Sequence, residues 1–195
     1  MTWMGDLPAT FTTSAARRAG VQFRDLYRAR DEAVLVELSR GVFRRADAPA
    51  PSYPELLAVA HRSPRAVICL LSAAAVHDLS DELPAAVQIA VPRRTWPPRI
   101  TYPPVEVFSY DAATFDLGLD YLEAAPGEPV RVYSPARTVV DLMRLRARIG
   151  ESVAHIALRR FVSSPGHQIG ELMSLAAILD VAGPMRSAVD VLTAS

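Results

Sequence analysis

The sequence predicts an α+β chain in two parts. A winged helix-turn-helix is expected over residues 1–48, and a mixed α/β domain with a C-terminal helical tail over residues 52–195. Three observations predict this. Helix, short turn, helix and hairpin patterns follow one another between residues 12 and 45. Asp47-Ala48-Pro49-Ala50-Pro51 reads as a stiff linker. Beyond it, short apolar runs alternate with helical patterns, and from Ser134 onward the chain reads as helical.

The elements follow in order. Thr12-Thr13-Ser14 offers capping hydroxyls to a two-turn helix that Gly20 closes. From Gln22 to about Glu32, Phe23, Leu26 and Ala29 or Arg30 recur at spacings of three and four, so this stripe is expected to face a core. Arg24, Tyr27, Arg28 and Asp31 fall on the other side. The period then changes to two. Val34–Leu38 and Val42–Arg44 read as strands joined by the tight turn Ser39-Arg40-Gly41. In a winged helix, the second helix of such a pair enters the major groove and the hairpin lies along the backbone. Pro54–Arg62 reads as a helix and Ala66–Leu70 as a buried strand, and Ser72 is expected to cap a short helix through His77. Ala86–Val91, Val105–Tyr110, Leu119–Glu123 and Val130–Tyr133 read as strands. Ser134-Pro135 has the cap-then-proline order that opens a helix, and helices near Glu151–Val162, Ile169–Val181 and Pro184–Leu192 follow.

Composition narrows the function. At 195 residues, half of them hydrophobic and 22% charged, a packed core is expected. All 21 basic residues are Arg, with no Lys and no Asn, whose codons are A/T-rich; this points to a GC-rich, actinobacterial genome. A net charge of zero argues against a general nucleic-acid coat protein. Residues 12–48 nevertheless hold eight Arg and five acids, a net of +3. The single cysteine, Cys69, lies in an apolar run and reads as a core residue. No apolar run reaches the roughly 18 residues of a membrane span, and no secretory leader is visible. The expectation is a cytoplasmic protein without a membrane partner.

Three motifs line up with one family. Gly20–Arg28, continued by Leu38-Ser39-Arg40-Gly41-Val42-Phe43, resembles the winged helix of the AbiEi-type antitoxins. Leu71-Ser72-Ala73-Ala74-Ala75-Val76-His77-Asp78-Leu79, followed by a strand ending Val91-Pro92-Arg93, resembles the family's Ser-x-Ala-Ala-x-x-His-Gly-Leu element. Tyr133-Ser134-Pro135-Ala136-Arg137-Thr138-Val139-Val140-Asp141-Leu142 resembles its Ser-Pro-Ala-Arg-Thr-Leu-Leu-Asp-Leu block. The resemblance implies a type IV toxin–antitoxin system, on its mycobacterial MenA-like branch. It implies an autorepressor that binds operator DNA with inverted repeats, and an antitoxin domain that counteracts a cognate toxin of nucleotidyltransferase fold. No cofactor, metal or enzymatic activity is implied, and a monomer or weak dimer is expected.

Candidate residues follow. For DNA they are Thr13, Arg17, Arg18, Gln22, Arg24, Tyr27 and Arg28, with Arg40, Arg44 and Arg45 on or after the wing. Arg can pair with guanine or phosphate and Gln with adenine. Arg17 and Arg18 also suit the end of a helix. Ser72, His77, Ser134, Pro135, Arg137 and Asp141 read as structural, or as a grip on the toxin; Arg137 and Asp141 have ion-pair spacing on one helix face. Between Arg99 and Arg131 no basic residue occurs, while Glu106, Asp111, Asp116, Asp120, Glu123 and Glu128 are acidic. This stretch is either a solvated face or an acidic surface steering a basic toxin. His61, His77, His155 and His167 are dispersed, without metal-ligand spacing. Two other readings stay open: a stand-alone winged-helix regulator with a ligand-sensing or dimerisation domain, and a hydrolase built from Ser72, His77 and Asp141. For the hydrolase, no nucleophile elbow is present.

Overall fold

The computed structural model describes residues 7–166 and 168–193; His167 lies outside the described residues. The architecture is α+β, with two sheets. Two compact units are built from the chain. The first takes residues 1–65, 98–105 and 123–130, and the second takes 66–97, 106–122 and 131–195. The boundary expected at 48–52 therefore does not part them: the chain returns twice to the first unit.

In the first unit, β1 (Thr10–Thr12) precedes α1 (Thr13–Arg18), α2 (Phe23–Asp31), β2 (Leu35–Ser39) and β3 (Val42–Arg45). The sheet order is β1-β3-β2, all antiparallel, with Phe11 opposite Phe43. Thr12 caps α1, its Oγ1 accepting from the Ala15 amide, and Gly20 supplies the left-handed φ of +82° between the helices. One face of the sheet packs Phe11 and Phe43, ring centroids 6.3 Å apart, against Ala16, Val21, Leu26 and Ala29. Burying a large apolar side chain in such a core contributes about 1.5–3 kcal/mol. Phe23 departs from the expected stripe: it is 48% exposed, with the Arg17 guanidinium over its ring. The helix α3 (Pro54–Arg62) packs against all three strands, so both faces of this small sheet are covered.

The second unit contains β4 (Val67–Ile68), α4 (Leu70–Val76), β5 (Val87–Pro92), β6 (Val105–Tyr110), β7 (Leu119–Ala125) and β8 (Glu128–Tyr133). The sheet order is β6-β5-β4-β8-β7, with β4 antiparallel to β5 and parallel to β8. Val105 at the start of β6, and the end of β7, its turn and the start of β8 over residues 123–130, belong to the first unit. Then come α5 (Pro135–Arg144), α6 (Arg146–Ile149), α7 (Glu151–Ser163), α8 (Ile169–Ile178) and α9 (Ala182–Thr193). Ser134 caps α5, its Oγ accepting from the Arg137 amide at 3.2 Å, a contact worth about 1 kcal/mol. From Ala136 to Met143 every residue of α5 is buried, and the helix packs against α4, α7 and α8. A helix buried all round is the centre of its domain.

Ser72 does not cap α4. The helix starts two residues earlier, at Leu70, and Cys69 occupies the cap position. The Ser72 hydroxyl instead accepts the Gln88 amide at 2.9 Å, and the Gln88 side-chain oxygen accepts the Leu71 amide at 2.8 Å. The second of these bonds satisfies an amide at the start of α4 from β5, and the first satisfies a β5 amide from α4.

Candidate functional site

The first unit presents α2 beside the β2–β3 turn. Gln22 just before α2, and Arg24, Tyr27 and Arg28 on it, are exposed, as are Arg17 and Arg18 at the end of α1 and Arg40 in the turn. Leu26 and Ala29 anchor the opposite face of α2 in the core. Tyr27 is held by an edge-on contact with Phe43, 6.0 Å between centroids, and by Arg30, whose guanidinium lies 4.8 Å from its ring. Arg30 is itself tied to Asp31 and Glu37. Thr13 is half-buried, and both its amide and its hydroxyl donate to the Gly41 carbonyl, at 2.9 and 3.2 Å. Gly41 needs its φ of +77°, and its amide donates to Glu37. The wing turn is therefore fixed to the start of α1 and to β2.

One expected DNA contact, Arg44, is placed otherwise. Arg44 is 3% exposed. Its guanidinium donates to Thr10 Oγ1 at 2.6 Å, Glu128 Oε1 at 2.5 Å and the Pro49 carbonyl. It alternates with Phe43 along β3, but the face it points to is covered by α3 rather than by water. Arg45 is half-exposed and donates to Asp47 at 2.9 Å.

A concavity of about 480 Å³ opens beside the wing, lined by Thr13, Phe23, Tyr27, Arg40, Arg62, Arg99 and Thr101. Arg62, at the end of α3, donates to the backbone carbonyls of Arg40 at 3.2 Å and of Arg99 at 3.0 Å. Ser39 Oγ donates to the Tyr102 carbonyl at 2.5 Å. No sequence pattern links Arg62 and Arg99 to the wing, since they stand 22 and 59 residues beyond Arg40.

In the second unit, Ser72, Arg137 and Asp141 of the motif residues are buried, and His77, Ser134 and Pro135 are half-buried. Arg137 is fully buried: its Nε donates to Asp141 at 2.9 Å, and its Nη1 donates to the Thr114 and Leu117 carbonyls. Its guanidinium lies 4.4 Å from the Tyr133 ring and 5.5 Å from the Tyr110 ring. Burial pushes the Asp141 carboxyl up, against the pull of Arg137 and Arg144. His77 Nε2 donates to the Tyr133 carbonyl at 2.8 Å. Ser72, His77 and Asp141 thus have separate partners and form no triad. Pro135 is the first residue of α5. The cluster organises a core.

The acid-only stretch of the sequence is not acid-only in space. Glu106 pairs with Arg148 at 2.7 Å and accepts from Gln88. Asp116 pairs with Arg131 at 2.6 Å, and Asp111 lies 3.9 Å from Arg93. These arginines come from distant elements of the same unit. Asp120 keeps its carboxylate at the surface, next to Tyr121, which is 61% exposed. In the first unit, Glu123 is exposed and accepts the Gly127 amide, while Glu128 is drawn in by Arg44. A groove of about 570 Å³ in the second unit is lined by Arg93, Phe108, Tyr110, Asp111, Arg144 and Arg148.

Among the described residues, no three His, Cys, Asp or Glu side chains converge as metal ligands, and no helix is long and apolar enough to cross a membrane. His61, half-buried, lies 3.9 Å from Glu128, and burial lowers its pKa.

No protein-family model matches the chain, and no curated protein sequence matches it. Its fold is similar to that in the crystal structure of RV2827C protein from Mycobacterium tuberculosis. The two share 16% identity over 91% of this chain and 81% of that one, with a TM-score of 0.50. At that identity the likeness is one of fold.

Proposed function

We propose that this protein is the antitoxin of a type IV toxin–antitoxin pair, AbiEi-like, which represses its own operon through its first unit and neutralises a nucleotidyltransferase-fold toxin through its second. The observation that carries the DNA half is the β1-α1-α2-β2-β3 order with sheet order β1-β3-β2. It leaves Gln22, Arg24, Tyr27 and Arg28 facing out beside a short wing, the placement a winged helix uses to enter the major groove. The toxin half is supported by the order of the three sequence motifs. For contact with the toxin, Asp120 beside the exposed Tyr121 is the part of the acidic stretch that keeps a surface carboxylate next to an apolar ring.

Co-expression tests the proposal. The reading expects a nucleotidyltransferase-fold protein encoded beside this one, which should arrest growth alone and not when this protein is present; absence of such a neighbour, or continued arrest, rejects the antitoxin role. A gel shift on the upstream duplex tests repression separately. A second reading, a ligand-sensing winged-helix regulator, is favoured by the three-arginine groove of the second unit. It predicts operator binding that changes with a small anionic ligand, and no rescue from the neighbouring gene product.

A further inference from the structure

We propose that the DNA surface of the first unit extends beyond the winged helix, to Arg62 and Arg99, which with Arg40 form a cleft for a backbone phosphate of duplex DNA. The inference rests on the operator-binding reading above and names a part of the interface that the winged-helix pattern does not include.

Three segments far apart in sequence meet here: the wing turn at Arg40, the end of α3 at Arg62 and the returning segment at Arg99. Their meeting is built, not incidental. Arg62 bridges the Arg40 and Arg99 carbonyls, and Ser39 ties the end of β2 to Tyr102 in the same returning segment. Two of the five guanidinium N–H donors of Arg62 are used in this bridge, and its charge remains. All three arginines are exposed. None of them forms an ion pair among the described residues, unlike Arg30, Arg44 and Arg45 nearby.

The lining of the cleft contains no carboxylate. Of its other polar side chains, the Thr101 hydroxyl suits a phosphate oxygen as well, while the Thr13 hydroxyl already donates to the Gly41 carbonyl. Three guanidinium groups without a counter-charge in about 480 Å³ favour an anion. The wall decides which anion. Phe23 and Tyr27 belong to α2, one turn apart on the helix that carries Arg24 and Arg28. A phosphate held here is therefore one on the same duplex, next to the bases that α2 faces. Such a contact positions the protein without reading sequence.

The test measures binding of the full chain, by anisotropy over a range of salt, to two probes: the duplex immediately upstream of its own gene and a random-sequence duplex of equal length. Arg99→Ala, at an exposed position, should lower the salt slope of log K by about 1 and weaken both duplexes alike. Over a fourfold rise in salt, the variant should then lose about fourfold less affinity than the wild type. Arg99→Lys should restore the slope, since the charge is kept. An unchanged slope in Arg99→Ala, with operator binding still lost in Arg24→Ala, overturns the cleft and leaves the DNA reading standing. Weakening of the upstream duplex alone also overturns it, because that is base readout. Failure of the wild type to bind either duplex overturns both.

Discussion

Arg137 donates its Nε–H to Asp141 at 2.9 Å across one turn of α5, and neither side chain is reached by solvent. The pair is held on every side: Tyr133 and Tyr110 flank the guanidinium, Thr114 and Leu117 accept from it, and Arg144 lies 3.0 Å from the second Asp141 oxygen. Removing one member leaves the other charged and buried. Asp141→Ala and Arg137→Ala should each cost about 3–5 kcal/mol in urea unfolding. The double variant should cost less than the sum, because the second substitution removes a charge already orphaned. Additive losses would show that the two side chains do not act as a pair.

The same cluster explains a glycine. Gly118 has φ +68°, and a Cβ there would lie 2.6 Å from Arg137 Cβ and 3.2 Å from its Cγ. Its carbonyl accepts the Ser134 amide at 2.8 Å, just before α5. The Arg137 Cβ sits on a buried helix backbone and cannot yield. Gly20 has a similar φ of +82° with nothing within 4 Å. Gly20→Ala should therefore cost about 1–2 kcal/mol, for the left-handed backbone alone, and Gly118→Ala clearly more. Equal losses at the two positions in the same unfolding assay would rule out the steric account.

The local chemistry of this chain was legible in sequence and its long-range covering was not. Ser134-Pro135 marked the start of α5, and Pro54–Arg62 and Val105–Tyr110 were read to the residue, because caps, proline and period act within one element. β1 has three residues and exists through its pairing with β3, which no local signal encodes. Arg44 read as a DNA contact on or after the wing; the covering of its face by α3 is a tertiary fact. The stretch from Glu106 to Glu128 read as free of basic partners for the same reason, since Arg93, Arg131 and Arg148 reach three of its acids from elsewhere in the fold. Thr13, expected on DNA, is spent on Gly41.

Cys69 gives the chain an alkaline limit. It is fully buried, and burial pushes its thiol well up, with the Asp141 and Glu106 carboxylates adding to the shift. A raised acid keeps its proton in the folded state. Its contribution to stability is therefore complete below the unfolded thiol value of about 8.5, and is lost as pH rises toward the folded value. The loss should approach about 1.4 kcal/mol per pH unit. Urea midpoints of the wild type should fall between pH 8.5 and 10, and those of Cys69→Ala should fall less. Parallel curves would exclude the thiol as the cause. Above pH 10 both proteins should decline further, since burial also raises the Tyr110 and Tyr133 phenols.

Arg44 and the pair Arg24 and Arg28 separate folding from DNA binding within one unit. Arg44 is buried and donates to Thr10, Glu128 and the Pro49 carbonyl. Arg44→Ala leaves Glu128 without its guanidinium, and the unit should lose about 3–5 kcal/mol. The molecules that remain folded should still bind the upstream duplex with wild-type affinity and salt slope, since Arg44 does not reach the surface. Arg24 and Arg28 are exposed on α2 and anchor nothing in the core. Their replacement by Ala should leave the unfolding curve unchanged. Operator binding should weaken by about 10- to 100-fold for each contact to a base edge, at about 1–3 kcal/mol per bidentate pair. Thermal unfolding and anisotropy on the same three preparations decide the matter. If Arg44→Ala loses operator binding while its folded fraction is intact, the burial seen here does not describe the DNA-bound protein. If Arg24→Ala and Arg28→Ala bind as the wild type does, α2 is not the reading helix.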